Sequence, residues 1–151
     1  MDLFFDSSAL VKRYVNEIGS TWVTNIVDIS SGNHIYIAEI TGVEITAAIA
    51  RRTRRDSAVE VNAVFANLRH ELNAEYLNLE IISALLQDAQ NLARKHLLRG
   101  YDAVQLAVAI DFNREQLAVG LPAVTLVSAD TELLDAARAE GLLVENSNQH
   151  P

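Results

Sequence analysis

At 151 residues the chain suits a single domain able to bury a sizeable core. Half of its residues are apolar, in runs broken by charged ones, which excludes a disordered chain, and the absence of cysteine excludes disulfides and thiolate metal sites and suits a reducing compartment. The net charge of −8 argues against a protein that coats nucleic acid nonspecifically, because such binding needs lysine and arginine against phosphates; it is compatible with a carboxylate site built for a cation.

Leu3-Phe4-Phe5, ending in Asp6-Ser7-Ser8, has the pattern of a buried strand that turns at once into a helix over about Ser8 to Val15. The start lacks the basic and apolar regions of a signal peptide, and no apolar run reaches membrane-spanning length, so a cytoplasmic protein is expected. A second helix, roughly Ser20 to Ile29, is closed by Ser30-Ser31-Gly32-Asn33, and His34 to Ile37 is β-rich. Ala38 to Arg55 reads as a helix with Ile40, Val43, Ala47 and Ala50 on its apolar face, and Ser57 to Glu75 as another with Val61, Val64, Phe65 and Leu68; the two should form an antiparallel hairpin.

Tyr76 to Ile81 suits a strand and Ser83 to Leu98 a helix, which Gly100 separates from the nearly all-apolar helix Ala103 to Ile110. Val124 to Val127 is a strand, Thr131 to Glu140 a helix stopped by Gly141, and Leu142 to Val144 a short strand. Such alternation predicts an α/β protein with a mostly parallel sheet and helices on both faces. No repeat or linker marks a second domain, so residues 1–145 are expected to form one unit and 146–151 a frayed tail.

Asp6 and Asp130 each follow a strand and precede a helix, at the rim where open α/β sheets bind ligands. Asp102 also precedes a helix. For all three, capping of orphan helix N–H groups is the competing explanation. Glu44 lies within its helical segment, so capping does not explain it. A carboxylate on a face shared with Ile40, Ala47 and Ala48 costs several kcal/mol to desolvate unless paired or metal-bound. A salt bridge to Arg51 is the alternative. Four converging carboxylates with few lysines nearby repel one another and make sense with a cation present, and oxygen-only ligands select magnesium or manganese over zinc or copper.

Four segments carry a resemblance: Phe4 to Lys12, Val43-Glu44-Ile45 to Ala50, Asp102-Ala103-Val104-Gln105-Leu106-Ala107, and Val127-Ser128-Ala129-Asp130 to Ala137. In this order and spacing the chain resembles a PIN domain, and in particular the VapC-type toxins of toxin-antitoxin pairs. The resemblance implies a three-layer α/β/α sandwich with an about five-stranded parallel sheet, magnesium- or manganese-dependent cleavage of RNA and frequently a homodimer, and it leaves the existence of an antitoxin partner open. It places Asp6, Glu44, Asp102 and Asp130 in the acidic positions that hold metal, with Ser7 and Ser128 in hydroxyl positions beside them. Thr131, Glu132 and Asp135 depart from relatives that carry a further acid soon after the fourth, which leaves one or two metal ions open.

Arg51, Arg52, Arg54 and Arg55 form the only dense basic cluster, suited to RNA phosphates, to an acidic partner or simply to a helix C-terminus; Lys12 invites a weaker version of the same reading. His34, His70, His96 and His150 lack ligand spacing and read as surface or loop residues. Trp22 and Tyr14 read as core or subunit interface, and Tyr101 as core. A phospho-accepting receiver domain needs a lysine near the late strands, whereas the only lysines are Lys12 and Lys95. A haloacid-dehalogenase-type phosphatase needs an acid where Ser8 stands, and there is no P-loop. The remaining alternative is a PIN-like module that binds or assembles without cutting.

Overall fold

The computed structural model describes residues 1–150. Strand β1 (Asp2–Phe5) leads into helix α1 (Ser7–Leu10), a 3-10 turn (Val11–Arg13) and α2 (Ser20–Val27). Strand β2 (His34–Ala38) precedes α3 (Thr41–Arg52) and α4 (Ala58–Ala74). Strand β3 (Leu77–Leu79) precedes α5 (Ser83–His96) and α6 (Gly100–Ala118). Strand β4 (Thr125–Ser128), α7 (Thr131–Ala139), β5 (Leu143–Asn146) and a 3-10 turn (Ser147–Gln149) complete the order. No described helix is long and apolar enough to cross a membrane.

All five strands are parallel, in the order β3-β2-β1-β4-β5. The alternation of β1 divides the core: Leu3 and Phe5 pack with Ala9, Leu10, Val23, Ile45, Ile49 and Leu68 on one face, while Phe4 packs with Leu106, Leu126 and Leu133 on the other. Helices α1–α4 thus cover one face and α5–α7 the other, the expected three-layer sandwich. From β1 the chain builds outward to β2 and β3 and later returns to β4 on the opposite side. The crevice between the carboxyl ends of β1 and β4 is the topological switch point, where open α/β sheets receive ligands.

Several boundaries and faces differ from the sequence reading. Ala38 ends β2 instead of opening a helix, so α3 starts at Thr41. The buried side of α3 is Thr41, Ile45 and Ile49, while Val43 is 68 % exposed. Both stripes have helical spacing; the isoleucines prevail because they meet α1 and α4. Of the expected hairpin, the start of α3 and the end of α4 do meet, where Gly42 faces Leu72. Gly100 opens α6, and the break after α5 comes at Leu97, which takes a left-handed conformation with φ 56°. Where the chain was expected to fray from residue 146, Asn146 ends β5 and Ser147 is fully buried, its hydroxyl donating to the Ser128 carbonyl at 3.3 Å.

Candidate active site

Each sequence-predicted acid stands where a helix begins. Asp6, at the end of β1, caps α1 by accepting the Ala9 N–H at 2.9 Å. Asp130, after β4, caps α7 by accepting the Glu132 and Leu133 N–H groups at 2.8 and 3.2 Å. The capping explanation therefore holds for both residues, and it does not exhaust either. Glu44 and Asp102 fall in the first turns of α3 and α6, where a helix dipole favours a carboxylate. For Glu44 this corrects the mid-helix position read from the sequence, because α3 begins three residues later than expected.

Asp6 is 2 % exposed, and its carboxyl is pushed up to about 7. Burial is the main cause, the charge of Asp102 adds to it, and hydrogen bonds from Ala9, Ser8 and Ser128 oppose it. Ser128 Oγ donates to Asp6 Oδ2 at 2.8 Å, and Ser8 Oγ stands 2.9 and 2.8 Å from the two carboxylate oxygens. The same hydroxyls tie the two strand ends together: Ser8 accepts the Ala129 N–H and Ser128 accepts the Asp130 N–H, both at 2.9 Å. Ser128 thus sits where the resemblance put it, whereas Ser8, not Ser7, is the partner of Asp6. Ser7 instead helps to hold the charged form of Glu44.

Glu44 is half-buried and accepts from Gln105 Nε2 at 2.6 Å; Gln105 Nε2 also stands 2.9 Å from Thr41 Oγ1. No contact with Arg51 is found, since Arg51 is exposed at the far end of α3. Burial raises the Glu44 carboxyl, and the Asp102 charge raises it further against the pull of Gln105. Asp102 is itself raised, first by burial and then by Asp130, with Arg99 opposing. The charge of Asp102 thus adds to the upward push on both Asp6 and Glu44, and that of Asp130 adds to the push on Asp102.

Ser8 and Gln105 were not singled out from the sequence as site residues. Both lie inside the segments that carried the resemblance. Their signal was a polar side chain one helical turn or less from an acid, at a position otherwise suited to burial.

Among the described residues, no three His, Asp or Glu side chains stand close enough together to grip one ion. The carboxylates are instead turned to their nearest donors, Asp6 to serines, Glu44 to Gln105 and Asp130 to the start of α7. The donor set still suits a hard divalent cation: it is all carboxylate oxygen, and for Asp6, Glu44 and Asp102 burial and neighbouring negative charge disfavour the charged form that a cation would stabilise.

The remaining candidates divide by exposure. Arg51, Arg54 and Arg55 are exposed, and Arg52 reaches Glu17 at 2.5 Å. Lys12 is 2 % exposed and cannot be a surface contact for RNA or a partner; its ammonium is spent on internal acceptors. Tyr101 is 60 % exposed, not core. Tyr14 is drawn into a part-buried cluster with Glu71 and Tyr76, and Trp22 stacks on His150 with ring centres 4.0 Å apart.

No family model matches the chain. Two curated proteins of Mycobacterium tuberculosis, ribonuclease VapC45 of strain CDC 1551 and ribonuclease VapC49 of strain H37Rv, are each 31 % identical over 150 residues, covering 99 % of this chain and 98 % of their own. Among solved structures, VapBC2 from Rickettsia felis, bound to a DNA fragment from their promoter, superposes with a TM-score of 0.64 at 14 % identity, covering 97 % of this chain and 98 % of that one. PAE2754 from Pyrobaculum aerophilum superposes with a TM-score of 0.62 at 20 % identity, over 95 % of this chain and 89 % of that one. FitAcB from Neisseria gonorrhoeae does so with a TM-score of 0.62 at 15 % identity, over 97 % and 98 %. At these identities the structural neighbours establish the fold alone.

Proposed function

The chain belongs to the VapC ribonuclease family of PIN-domain proteins, and on that premise we propose that it is an RNA-cleaving toxin whose activity requires magnesium or manganese. The observation that supports the metal-dependent part is geometric: Asp6 and Asp130 follow the neighbouring strands β1 and β4 at the switch point of the sheet, and Glu44 and Asp102 lie in the first turns of α3 and α6.

Asp6, Glu44, Asp102 and Asp130 are the residues proposed to hold the ion. When bound, it would supply positive charge against the scissile phosphodiester and lower the pKa of water. The chain's own contribution is orientation. Ser128 and Ser8 fix the Asp6 carboxylate, Gln105 fixes that of Glu44, and the first N–H groups of α7 hold Asp130. No histidine was found in these contacts to serve as a general acid or base, so positioning and charge are the levers this reading requires.

The Rickettsia felis neighbour is a VapBC2 assembly, and a protein antitoxin is proposed for this chain on that likeness and on its family. Arg51, Arg54 and Arg55, exposed at the far end of the helix that carries Glu44, are proposed contacts for RNA phosphates or for that partner. A homodimer is proposed on an open apolar cleft of about 680 Å³ lined by Ile40, Ile81, Leu86, Tyr101 and Val104; sedimentation at micromolar concentration should give twice the monomer mass. A cytoplasmic location belongs to the same reading.

The deciding experiment is cleavage of single-stranded, structured and transfer RNAs with magnesium, manganese or EDTA, beside Asp102→Asn prepared identically. Cleavage that needs metal and vanishes in the variant is expected. Equal cleavage by both preparations would identify a contaminant. No cleavage and no manganese binding by either would leave a PIN fold that binds without cutting.

A further inference from the structure

Lys12 is one of two lysines, and the other, Lys95, is exposed. A buried ammonium is expensive unless its donors are used. Here it donates to the Ile18 carbonyl at 2.7 Å and to Asn148 Oδ1. Asn148 passes the connection on, because its Nδ2 donates to the Ala129 carbonyl at 3.1 Å. Beside it the Ser147 hydroxyl donates to the Ser128 carbonyl. The segment Ser128–Asp130 is therefore held from two sides. Its hydroxyl and amide groups face Asp6 and Ser8, while two of its carbonyls are held by the turn that follows β5.

The anchorage is closed on itself. Lys12 lies in the 3-10 turn directly after α1, the helix that Asp6 caps, so a ring runs from Asp6 through Lys12, Asn148, Ala129 and Ser8 back to Asp6. A carboxamide is the group that can occupy position 148 in this ring, since it offers an acceptor to the ammonium and a donor to the carbonyl together. The turn is seated as closely as backbone allows: a Cβ on Gly19 would lie 2.0 Å from the Ser147 carbonyl oxygen.

We propose that Lys12 and Asn148 are positioning residues, whose bridge fixes the Ser128–Asp130 segment at the separation from Asp6 that lets both aspartates serve one cation. This rests on the metal-dependent reading above.

The test uses Asn148→Asp, which keeps an acceptor for Lys12 and removes the donor to Ala129, beside Lys12→Met, which removes the ammonium. Amide exchange at Ala129 and Asp130 is followed in EDTA, manganese affinity by calorimetry, and kcat and KM on a cleaved RNA. Exchange at those two amides should quicken at least about tenfold while Phe5 and Leu126 keep their protection. Manganese affinity should fall about 10- to 100-fold, and kcat should fall with KM unchanged. If Asn148→Asp, folded, matches the wild type within about twofold in exchange and affinity, the bridge is a structural tie only and the inference fails. If the wild type binds no manganese, the metal reading fails, and the exchange rates alone decide whether the bridge positions the segment.

Discussion

Asp6 is asked to be buried and charged at once, and its fold provides hydrogen bonds but no cation of its own within contact. The folded chain holds the Asp6 proton more tightly than the unfolded chain, because the carboxyl is raised from its ordinary value near 4 to about 7. The contribution of Asp6 to the stability of the metal-free protein should therefore be most favourable below pH 4, fall as the pH climbs to about 7, and level off above. The loss attributable to this group is at most roughly 4 kcal/mol. Urea melts in EDTA at pH 5 and pH 8 would show it, and Asp6→Asn should flatten the slope and be the more stable protein at pH 8 while cutting no RNA. A slope unchanged in Asp6→Asn would assign it to other groups. Gln105 makes a second case. Gln105→Leu leaves Glu44 and Thr41 without their buried donor, so we expect a loss of about 1–3 kcal/mol in urea melts and a roughly 10- to 100-fold fall in turnover. Unaltered turnover by a folded variant would remove Gln105 from the site.

At the level of elements, what could be read from the sequence depended on whether a segment carries its own signal. The strands before Asp6 and Asp130 and the capped helix after Asp130 are written locally in apolar runs and turn residues, and the structure has them within a residue or two; the helix expected over Ser8 to Val15 is shorter, α1 giving way to a 3-10 turn at Val11. The inward face of α3 is not. Val43 and Ile45 are both apolar and both lie on helical stripes, and only the neighbours brought by α1 and α4 choose between them. Lys12 and Asn148 were illegible for the same reason: 136 residues separate them, and no spacing rule joins a lysine to a distant asparagine. Gly19 shows how tightly that distant turn is docked. Its φ of 88° is left-handed, and a methyl group there would strike the Ser147 carbonyl oxygen. Gly19→Ala should cost more than about 2 kcal/mol and expel the turn. Trp22 fluorescence, sensitive to the stacked His150, would report the expulsion, and an emission spectrum and urea midpoint equal to wild type would refute it.

For the molecule as a whole, the parallel sandwich was legible because alternating strands and helices leave few other topologies, and the candidate acids were legible as carboxylates beside strand ends and helix starts. The supporting hydroxyl and amide groups needed the fold. The same rim predicts how the protein responds to its ion. Manganese that binds only the folded chain should add about 2.7 kcal/mol at a hundredfold excess over its dissociation constant, a rise of roughly 5–10 °C in Tm for a domain of this size. Thermal scans should show the rise in the wild type and none in Asp102→Asn; a rise in both would place the ion elsewhere. The position of β1 sets a further condition. It is the first strand made and the middle strand of the finished sheet, and its Leu3, Phe4 and Phe5 wait for Thr125, Leu126 and Val127 before one whole edge is paired. During synthesis, Asp6 can meet Ser128 only once a residue 122 positions further along the chain has emerged. The Asp6 end of the proposed site therefore stays incomplete until β4 has been made, however early β1 itself emerges.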